Sequence, residues 1–326
     1  MRNRFRERLF ALTAVLACSS VLISQTPDRS KVVAGAERAF AKASKINTGP
    51  APGCSVGVSL AGESVFEHAF GLAEMEHSVP NTAQTVFESG SVAKQFTASA
   101  LVLLQQDGKL NIDDPVRKYI PELPDYGSPL TIRHMLNHTS GLRDWFSVRG
   151  LSGEGAGEHI ITQHMIFDTI VRQKGLDFTP GAEYSYSNSG YQLAAMIVER
   201  VSKQKLPDFV AERILKPLSM KNTGYRDDFQ RVTPGRAQAY SKSGDGPWRL
   251  TMPMMNAHGG VPAHGTRGSS MRSKRGEILP AAGRATMPSA CSTDRIKATV
   301  IFHILARPPR TGRCSLDFPR RRFRSQ

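Results

Sequence analysis

The pattern of hydrophobic and polar positions along the chain predicts a clear order of helices and strands. Residues 31–46 carry apolar side chains at helical spacing and predict a helix. The runs CSVGVSL and SVFEHAFG, joined by the tight turn Ala61-Gly62-Glu63, predict a β-hairpin. A serine-rich entry then leads into a helix of about fourteen residues, for which Gly108 is the expected stop.

The middle of the chain is mainly helical in its pattern. Thr131 can cap a short helix through TIRHMLNH. Residues 160–173 and 189–203 repeat the helical period, and PDFVAERILKPL predicts one more short helix. Residues 225–260 are rich in loop-forming residues.

This order predicts an α+β protein, with an antiparallel sheet flanked by helices and a mainly helical domain. One helix and two strands cannot close a sheet layer alone, so further strands must come from later in the chain. After residue 260, only ATVIFHIL at 298–305 has the composition of a strand. The sequence therefore predicts an incomplete sheet.

The charge is distributed unevenly. The 326 residues carry a formal net charge of +15, of which residues 261–326 contribute +11 through 12 Arg and 2 Lys against three acidic residues. That segment alternates Arg, Pro, Ser and Gly without periodicity. We interpret residues 25–260 as the folded domain and residues 261–326 as an atypical basic tail, which is either disordered or translated from a shifted reading frame.

The N-terminus predicts an export signal. MRNRFRER is a basic segment and LFALTAVLA is an apolar one, so residues 1–24 are interpreted as a signal peptide. The expected location is the periplasm or the outside of the cell. Cys18 follows Val-Leu-Ala, a loose match to a lipoprotein cleavage site, so a membrane-anchored lipoprotein is the alternative. Membrane contact is expected only through this segment.

The stretch ESGSVAKQF, residues 88–96, holds the first candidate for chemistry. Positions three apart share a helix face, so the Ser91 hydroxyl is expected beside the Lys94 amine. A lysine among apolar groups has a destabilised charged form and can accept a proton, which activates a serine without histidine. Ser202 and Lys205 repeat the spacing at an expected solvated helix end, so the pattern alone is not specific.

The second candidate is the tripeptide YSN at 186–188, ahead of an amphipathic helix. A tyrosine hydroxyl near Lys94 could act as a base toward Ser91, and Asn188 could donate to a substrate carbonyl. A tyrosine in a turn and an asparagine that caps a helix would explain the same residues without any function.

Metal and nucleic-acid chemistry find little support. His134 and His138 are four apart on one predicted helix, which is metal-ligand spacing, but they have no Glu beside them and no obvious third ligand. We interpret them as structural. The sequence contains no Gly-x-Ser-x-Gly elbow, phosphate loop or dinucleotide fingerprint. The basic run RRRFR is expected to be solvated, so no nucleic-acid partner is predicted.

Together these motifs resemble the serine β-lactamase and penicillin-binding-protein superfamily, specifically its class C β-lactamase-like branch. The matching stretches, in chain order within residues 30–260, are VFESGSVAKQFTA, LNIDDPVRKYIPELP, PLTIRHMLNHTSGL, PGAEYSYSNSGYQLAAMIVERVS and ILKPLSMKNTGY. The resemblance implies Ser91 as nucleophile, Lys94 as its activating partner and Tyr186 as general base. Asn188 falls on the asparagine that contacts substrate.

The resemblance also implies a reaction. A serine hydrolase of this type forms an acyl-enzyme on an amide or ester bond and needs no metal or organic cofactor. The expected substrate is a small molecule or a peptidoglycan-like peptide: a β-lactam, a D-amino-acid peptide or a small ester.

One family element is not found. The resemblance calls for Lys-Thr-Gly or His-x-Gly on a late strand that supplies the second oxyanion-hole N–H. His258-Gly259-Gly260 abuts loop sequence, and we interpret it as a Gly-Gly segment that the family carries midway. Two alternatives to a serine hydrolase therefore stay open: a catalytically defective, truncated homologue, and a basic-tailed binding protein for anionic surfaces.

Overall fold

The structure is a computed structural model of an α+β protein. It describes residues 28–45, 50–153, 161–228, 230–251, 262–265 and 298–302. The predicted signal peptide, Cys18, His258-Gly259-Gly260 and most of the predicted basic tail lie outside these residues.

In the described part of the chain, a first helix is followed by a group of strands, then by a group of helices, and then by a second group of short strands. The helices are α1 (Arg29–Ser44), α2 (Lys94–Gln106), α3 (Ile132–Leu136), α4 (Trp145–Leu151), α5 (Gln163–Val171), α6 (Asn188–Ser202) and α7 (Leu206–Val210). The strands are β1 (Cys54–Leu60), β2 (Glu63–Phe70), β3 (Leu72–Glu74), β4 (Val79–Pro80), β5 (Val86–Glu88), β6 (Thr223–Tyr225), β7 (Tyr240–Ser241), β8 (Arg249–Leu250), β9 (Pro262–Gly265) and β10 (Ala298–Phe302). A 3₁₀ turn (Gly90–Ala93) precedes α2, and one π turn (Ala211–Leu215) follows α7.

The predicted hairpin is confirmed. β1 and β2 pair antiparallel, and Ala61 and Gly62 at the turn have φ values of 51° and 83°. Two consecutive positive φ values are the mark of the type I′ turn, whose twist matches that of the two strands. The predicted first helix, α1, packs on the hairpin through Phe40, whose ring contacts the ring of Phe66 at a centroid distance of 5.8 Å and that of Phe70 at 5.6 Å.

Two segments beyond residue 260 are strands. The run ATVIFHIL, predicted as a strand, forms β10 over residues 298–302 and pairs antiparallel with β1, in the order β10-β1-β2. The segment PAHG forms β9 between β5 and β6, and the sequence did not predict it. Four residues are too few for a sequence pattern to mark a strand, so backbone pairing alone defines it. The predicted tail boundary at residue 261 and the predicted incomplete sheet depend on residues outside the described part, and they stay predictions.

The main core lies among the helices. α2 packs against α6, and α6 approaches α3 closely at Gly190, where a Cβ would stand 3.1 Å from the Cβ of Met135. The fully buried apolar side chains include Leu101, Leu104, Ile132, Met135, Leu193, Ile197 and Val198. Within the described residues, no helix combines the length and apolar character needed to cross a membrane.

The helix predicted from Thr131 forms with its cap but is shorter than expected. The Thr131 Oγ1 accepts the backbone N–H of His134 at 3.2 Å, and the His134 Nδ1 accepts that of Thr131 at 3.3 Å. The helix ends at Leu136, and His138 has a φ of 58°. The expectation that His134 and His138 share one helix is therefore wrong, because a left-handed residue cannot continue an α-helix.

The core predicts a measurable cost for a cavity. Leu101→Ala should lower the free energy of unfolding by about 2–5 kcal/mol, because Leu101 is fully buried between helices that cannot collapse freely. Leu151→Ala is the matched control: Leu151 is 90 % exposed, so the change should stay within about 0.5 kcal/mol. Urea unfolding measures both, and an equal loss in the two variants would contradict the packing described.

Candidate active site

Ser91 and Lys94 lie where β5 leads into α2. Ser91 is exposed in the 3₁₀ turn, and Lys94 is the first residue of α2. The Lys94 side chain is buried, with only 8 % of the residue exposed, as the sequence predicted. Its Nζ donates a hydrogen bond to the Ser91 Oγ at 3.2 Å.

Tyr186 and Asn188 lie at the start of α6. Tyr186 belongs to the extended segment ahead of the helix and is 44 % exposed, and Asn188 is the first helical residue. The cap of this helix is Ser187, whose side chain accepts the Ser189 N–H at 3.2 Å. The suggestion that Asn188 is merely a capping residue is therefore wrong, because Ser187 fills that position.

The four predicted residues converge. The Tyr186 hydroxyl lies 2.6 Å from the Ser91 Oγ, and the Lys94 Nζ donates to the Asn188 Oδ1 at 2.8 Å. The Tyr186 hydroxyl is also 3.3 Å from the Asn188 Oδ1. The Lys94 Nζ stands over the ring of Tyr186 at 5.1 Å from its centroid and over that of Tyr191 at 5.6 Å. The predicted convergence of the Ser91 hydroxyl, the Lys94 amine and the Tyr186 hydroxyl is confirmed, and Asn188 joins them, while the chemical roles stay predictions.

The loop between α3 and α4 holds in place the tyrosine segment, residues 184–187, where it leads into α6. Asp144 accepts the backbone N–H of Asn188 on Oδ1 at 2.7 Å. The Ser189 Oγ donates to the Arg143 carbonyl at 2.6 Å and accepts the Trp145 N–H at 2.9 Å. Sequence reasoning missed Asp144 and Ser189, because their partners lie more than forty residues away and follow no periodic spacing.

His138 lies against the site, in contact with Tyr186 and Ser187. Its ring centroid is 4.4 Å from that of Tyr186, and its Nδ1 accepts the Ser187 N–H at 3.3 Å. Burial and the nearby Lys94 charge lower the pKa of His138. Among the residues that the structure describes, no three His, Cys, Asp or Glu side chains cluster in a way that could hold a metal ion.

Tyr191 supports the site from below. Its hydroxyl donates to the Leu136 carbonyl at 3.0 Å, and burial raises its pKa to about 12. Tyr191 is therefore a neutral phenol over the whole physiological pH range. Its ring packs beside the Lys94 amine.

A half-buried cluster of charges fixes the strand that leads to Ser91. The Glu88 carboxylate lies 3.3 Å from the Arg226 Nη1 and 3.6 Å from the Arg236 Nη1. Two cations around one carboxylate tie the end of β5 to the chain after β6. The sequence showed no sign of this cluster, since its members are far apart along the chain.

The second Ser-x-x-Lys match is a helix end, as predicted. Ser202 is the last residue of α6, and its Oγ accepts the Gln204 N–H at 3.1 Å. Lys203 is left-handed with a φ of 62°, and Lys205 is exposed. The left-handed residue turns the chain away, so this serine and lysine do not share a helix face.

The geometry suits activation of a nucleophile. An exposed hydroxyl stands within hydrogen-bond reach of a phenol and an amine, either of which can take part in proton transfer. Ser91 also lies in the first turn ahead of a thirteen-residue helix, whose N-terminus favours negative charge.

Comparisons with known proteins agree with this geometry. A model of the family described as Beta-lactamase matches residues 36–290. Penicillin-binding protein 4* of Bacillus subtilis is 35 % identical over 185 residues, which cover 55 % of this chain and 39 % of that protein. A D-aminopeptidase of Brucella canis is 34 % identical over 170 residues, which cover 52 % of this chain and 32 % of the relative.

Solved structures show the same fold. An octameric penicillin-binding protein homologue from Pyrococcus abyssi has a TM-score of 0.63 and 26 % identity, covering 72 % of this chain and 54 % of its own. The chain spans less than half the length of the Bacillus subtilis and Brucella canis relatives. The family match extends over most of the chain and includes Ser91, Lys94, Tyr186 and Asn188. The chain belongs to the beta-lactamase family.

Proposed function

We propose that the protein is a serine hydrolase that forms an acyl-enzyme on an amide or ester bond. The observation that carries this proposal is the 2.6 Å contact between the Ser91 and Tyr186 hydroxyls, with the Lys94 Nζ 3.2 Å from the same Ser91 oxygen. A hydroxyl with two proton-transfer partners has the arrangement of an activated nucleophile.

The proposed reaction has two steps. The Ser91 Oγ attacks the substrate carbonyl carbon and passes its proton to Tyr186, which gives a proton to the leaving amine or alcohol and so ends the step in the protonation state in which it began. Water then attacks the Ser91 ester and releases the acid and the free serine. Lys94 donates to the Ser91 Oγ and so stabilises the negative charge that develops there, and Asn188 contacts the substrate amide.

The substrate is proposed at the level of a class. The similarity to a penicillin-binding protein and to a D-aminopeptidase supports a small molecule or a peptidoglycan-like peptide. β-Lactams, D-amino-acid peptides and small esters are the three substrates to test first, because each presents a carbonyl to Ser91. The reaction as proposed uses side chains alone, without a metal or organic cofactor.

The proposed location rests on the N-terminal sequence. The basic segment MRNRFRER and the apolar segment after it support export to the periplasm or beyond, with residues 1–24 as the signal peptide. Lipidation at Cys18 is the alternative route to the membrane.

The nucleophile is tested with a fluorophosphonate and a fluorescent penicillin. The wild-type protein should be labelled by the fluorophosphonate, and Ser91→Ala should lose the labelling, because the reactive oxygen is gone. Ser202→Ala is the matched control and should be labelled like the wild type, since Ser202 only terminates α6.

The two probes separate the alternatives. Labelling by the penicillin as well would favour a β-lactam or D-peptide substrate over a simple ester. A folded wild-type protein that neither probe labels would contradict the proposal and favour a catalytically defective homologue. Steep salt dependence of binding to anionic surfaces, lost when residues 261–326 are removed, would instead favour the basic-tailed binding protein.

The general base is tested by a pair of tyrosine variants. Tyr186→Phe should reduce the rate of fluorophosphonate labelling by about 10²- to 10⁴-fold, because it removes the hydroxyl next to the Ser91 Oγ. Tyr184→Phe is the matched control, because Tyr184 is two residues away and 69 % exposed. Loss of its hydroxyl should leave the rate close to that of the wild type. Equal rates in the two variants would contradict the role given to Tyr186.

A further inference from the structure

His138 contacts the tyrosine segment through its backbone carbonyl, its Nδ1 and the face of its ring. Its backbone carbonyl accepts the Ser185 N–H at 2.9 Å, and its side-chain Nδ1 accepts the Ser187 N–H at 3.3 Å. These two donors lie on either side of Tyr186. A single residue therefore holds the backbone of Tyr186 from both of its neighbours.

The imidazole ring also touches the side chain of Tyr186. The two ring centroids are 4.4 Å apart with an interplanar angle of 32°, and the ring of Tyr191 lies 5.3 Å from the imidazole centroid at 36°. The imidazole thus contacts both the tyrosine next to Ser91 and the buried Tyr191. A shift of this ring would move the Tyr186 hydroxyl relative to the Ser91 Oγ.

We propose that His138 is a positioning residue for Tyr186, which acts through the acceptor Nδ1 and the face of its ring. The inference rests on the proposed function, because it assigns a task within that reaction. It concerns the Ser187 contact most directly, since that hydrogen bond fixes the residue between Tyr186 and Asn188.

The backbone conformation at position 138 limits which residues can replace His138 as the positioning residue. With a φ of 58°, His138 adopts the left-handed conformation, in which Asn, Asp and His are enriched among residues other than glycine. Asn is also the side chain whose Oδ1 can stand near the place of the imidazole Nδ1. His138→Asn therefore keeps the acceptor and the backbone, and His138→Ala removes the acceptor.

The contact requires an unprotonated Nδ1. The charged or titratable groups around the imidazole are Lys94 from α2, Asp144 from the same loop, and the phenols of Tyr184, Tyr186 and Tyr191. Burial and the Lys94 charge lower the pKa of His138 below its ordinary value of 6.5, so the imidazole is neutral at neutral pH. Protonation would place an N–H against the Ser187 N–H and break the contact.

The experiment compares the rates of fluorophosphonate labelling in the full chain. His138→Ala should be slower than the wild type by about 10- to 100-fold, because a misplacement of about 1 Å costs on the order of 10²-fold. His138→Asn should recover most of this loss and stay within about fivefold of the wild type, because it lacks only the ring contact. Circular dichroism and thermal unfolding confirm that each variant is folded.

A pH profile of the labelling rate distinguishes positioning through the Nδ1 from a purely structural role of His138, because only the first depends on protonation of the imidazole. As pH decreases from 6.5 through the pH at which an NMR titration shows the His138 imidazole to be protonated, the ratio of the wild-type rate to the His138→Asn rate should fall, because only the wild type loses its acceptor by protonation. This comparison needs only two proteins, so it stands even where His138→Ala does not fold.

Each outcome decides the inference. Equal losses in the Ala and Asn variants, or a rate ratio that does not change with pH, would overturn the positioning role while labelling of the wild type upholds the proposed function. A folded wild type that is not labelled would overturn the proposed function and this inference together.

Discussion

The site depends on the two hydrogen bonds that the buried amine of Lys94 donates. Its Nζ donates both to the Ser91 Oγ at 3.2 Å and to the Asn188 Oδ1 at 2.8 Å. Ser91 stands before α2 and Asn188 begins α6, so a single side chain joins the N-terminal ends of the two helices that pack at the centre of the core. A buried lysine is costly unless its donors are paired, and the serine and asparagine oxygens each accept one N–H of this amine. The packing of α2 against α6 therefore determines where the Lys94 amine, the Ser91 hydroxyl and the Asn188 amide meet.

Much of this arrangement could be predicted from the sequence. The hairpin followed from alternation and a Gly-containing turn, and the burial of Lys94 followed from the apolar run that comes after it. The meeting of Ser91 with Tyr186 did not follow from spacing, since 95 residues separate them, and only the resemblance to a family could predict it. Local patterns determine local elements, while the contacts between distant elements depend on the whole fold.

The features that could not be predicted share this physical reason. β9 is defined by backbone pairing with β5 and β6, and no side-chain pattern marks it. The Glu88, Arg226 and Arg236 cluster and the Asp144 contact to Asn188 bring together polar groups from distant segments. His138 was placed on a helix because TIRHMLNH has helical composition, but the helix ends at Leu136. The misassigned boundary hid the contact of His138 with Tyr186.

We propose that Lys94 and Tyr186 act on Ser91 as one unit, because both contact the Ser91 Oγ. A double-mutant cycle with Lys94→Met and Tyr186→Phe tests it directly, with the rate of fluorophosphonate labelling at Ser91 as the measurement. Residues that act as a unit have strongly non-additive effects, so the double variant should be about as slow as the slower single variant. If the two losses instead multiply, Lys94 and Tyr186 act independently, and the account of a single hydrogen-bonded unit is contradicted.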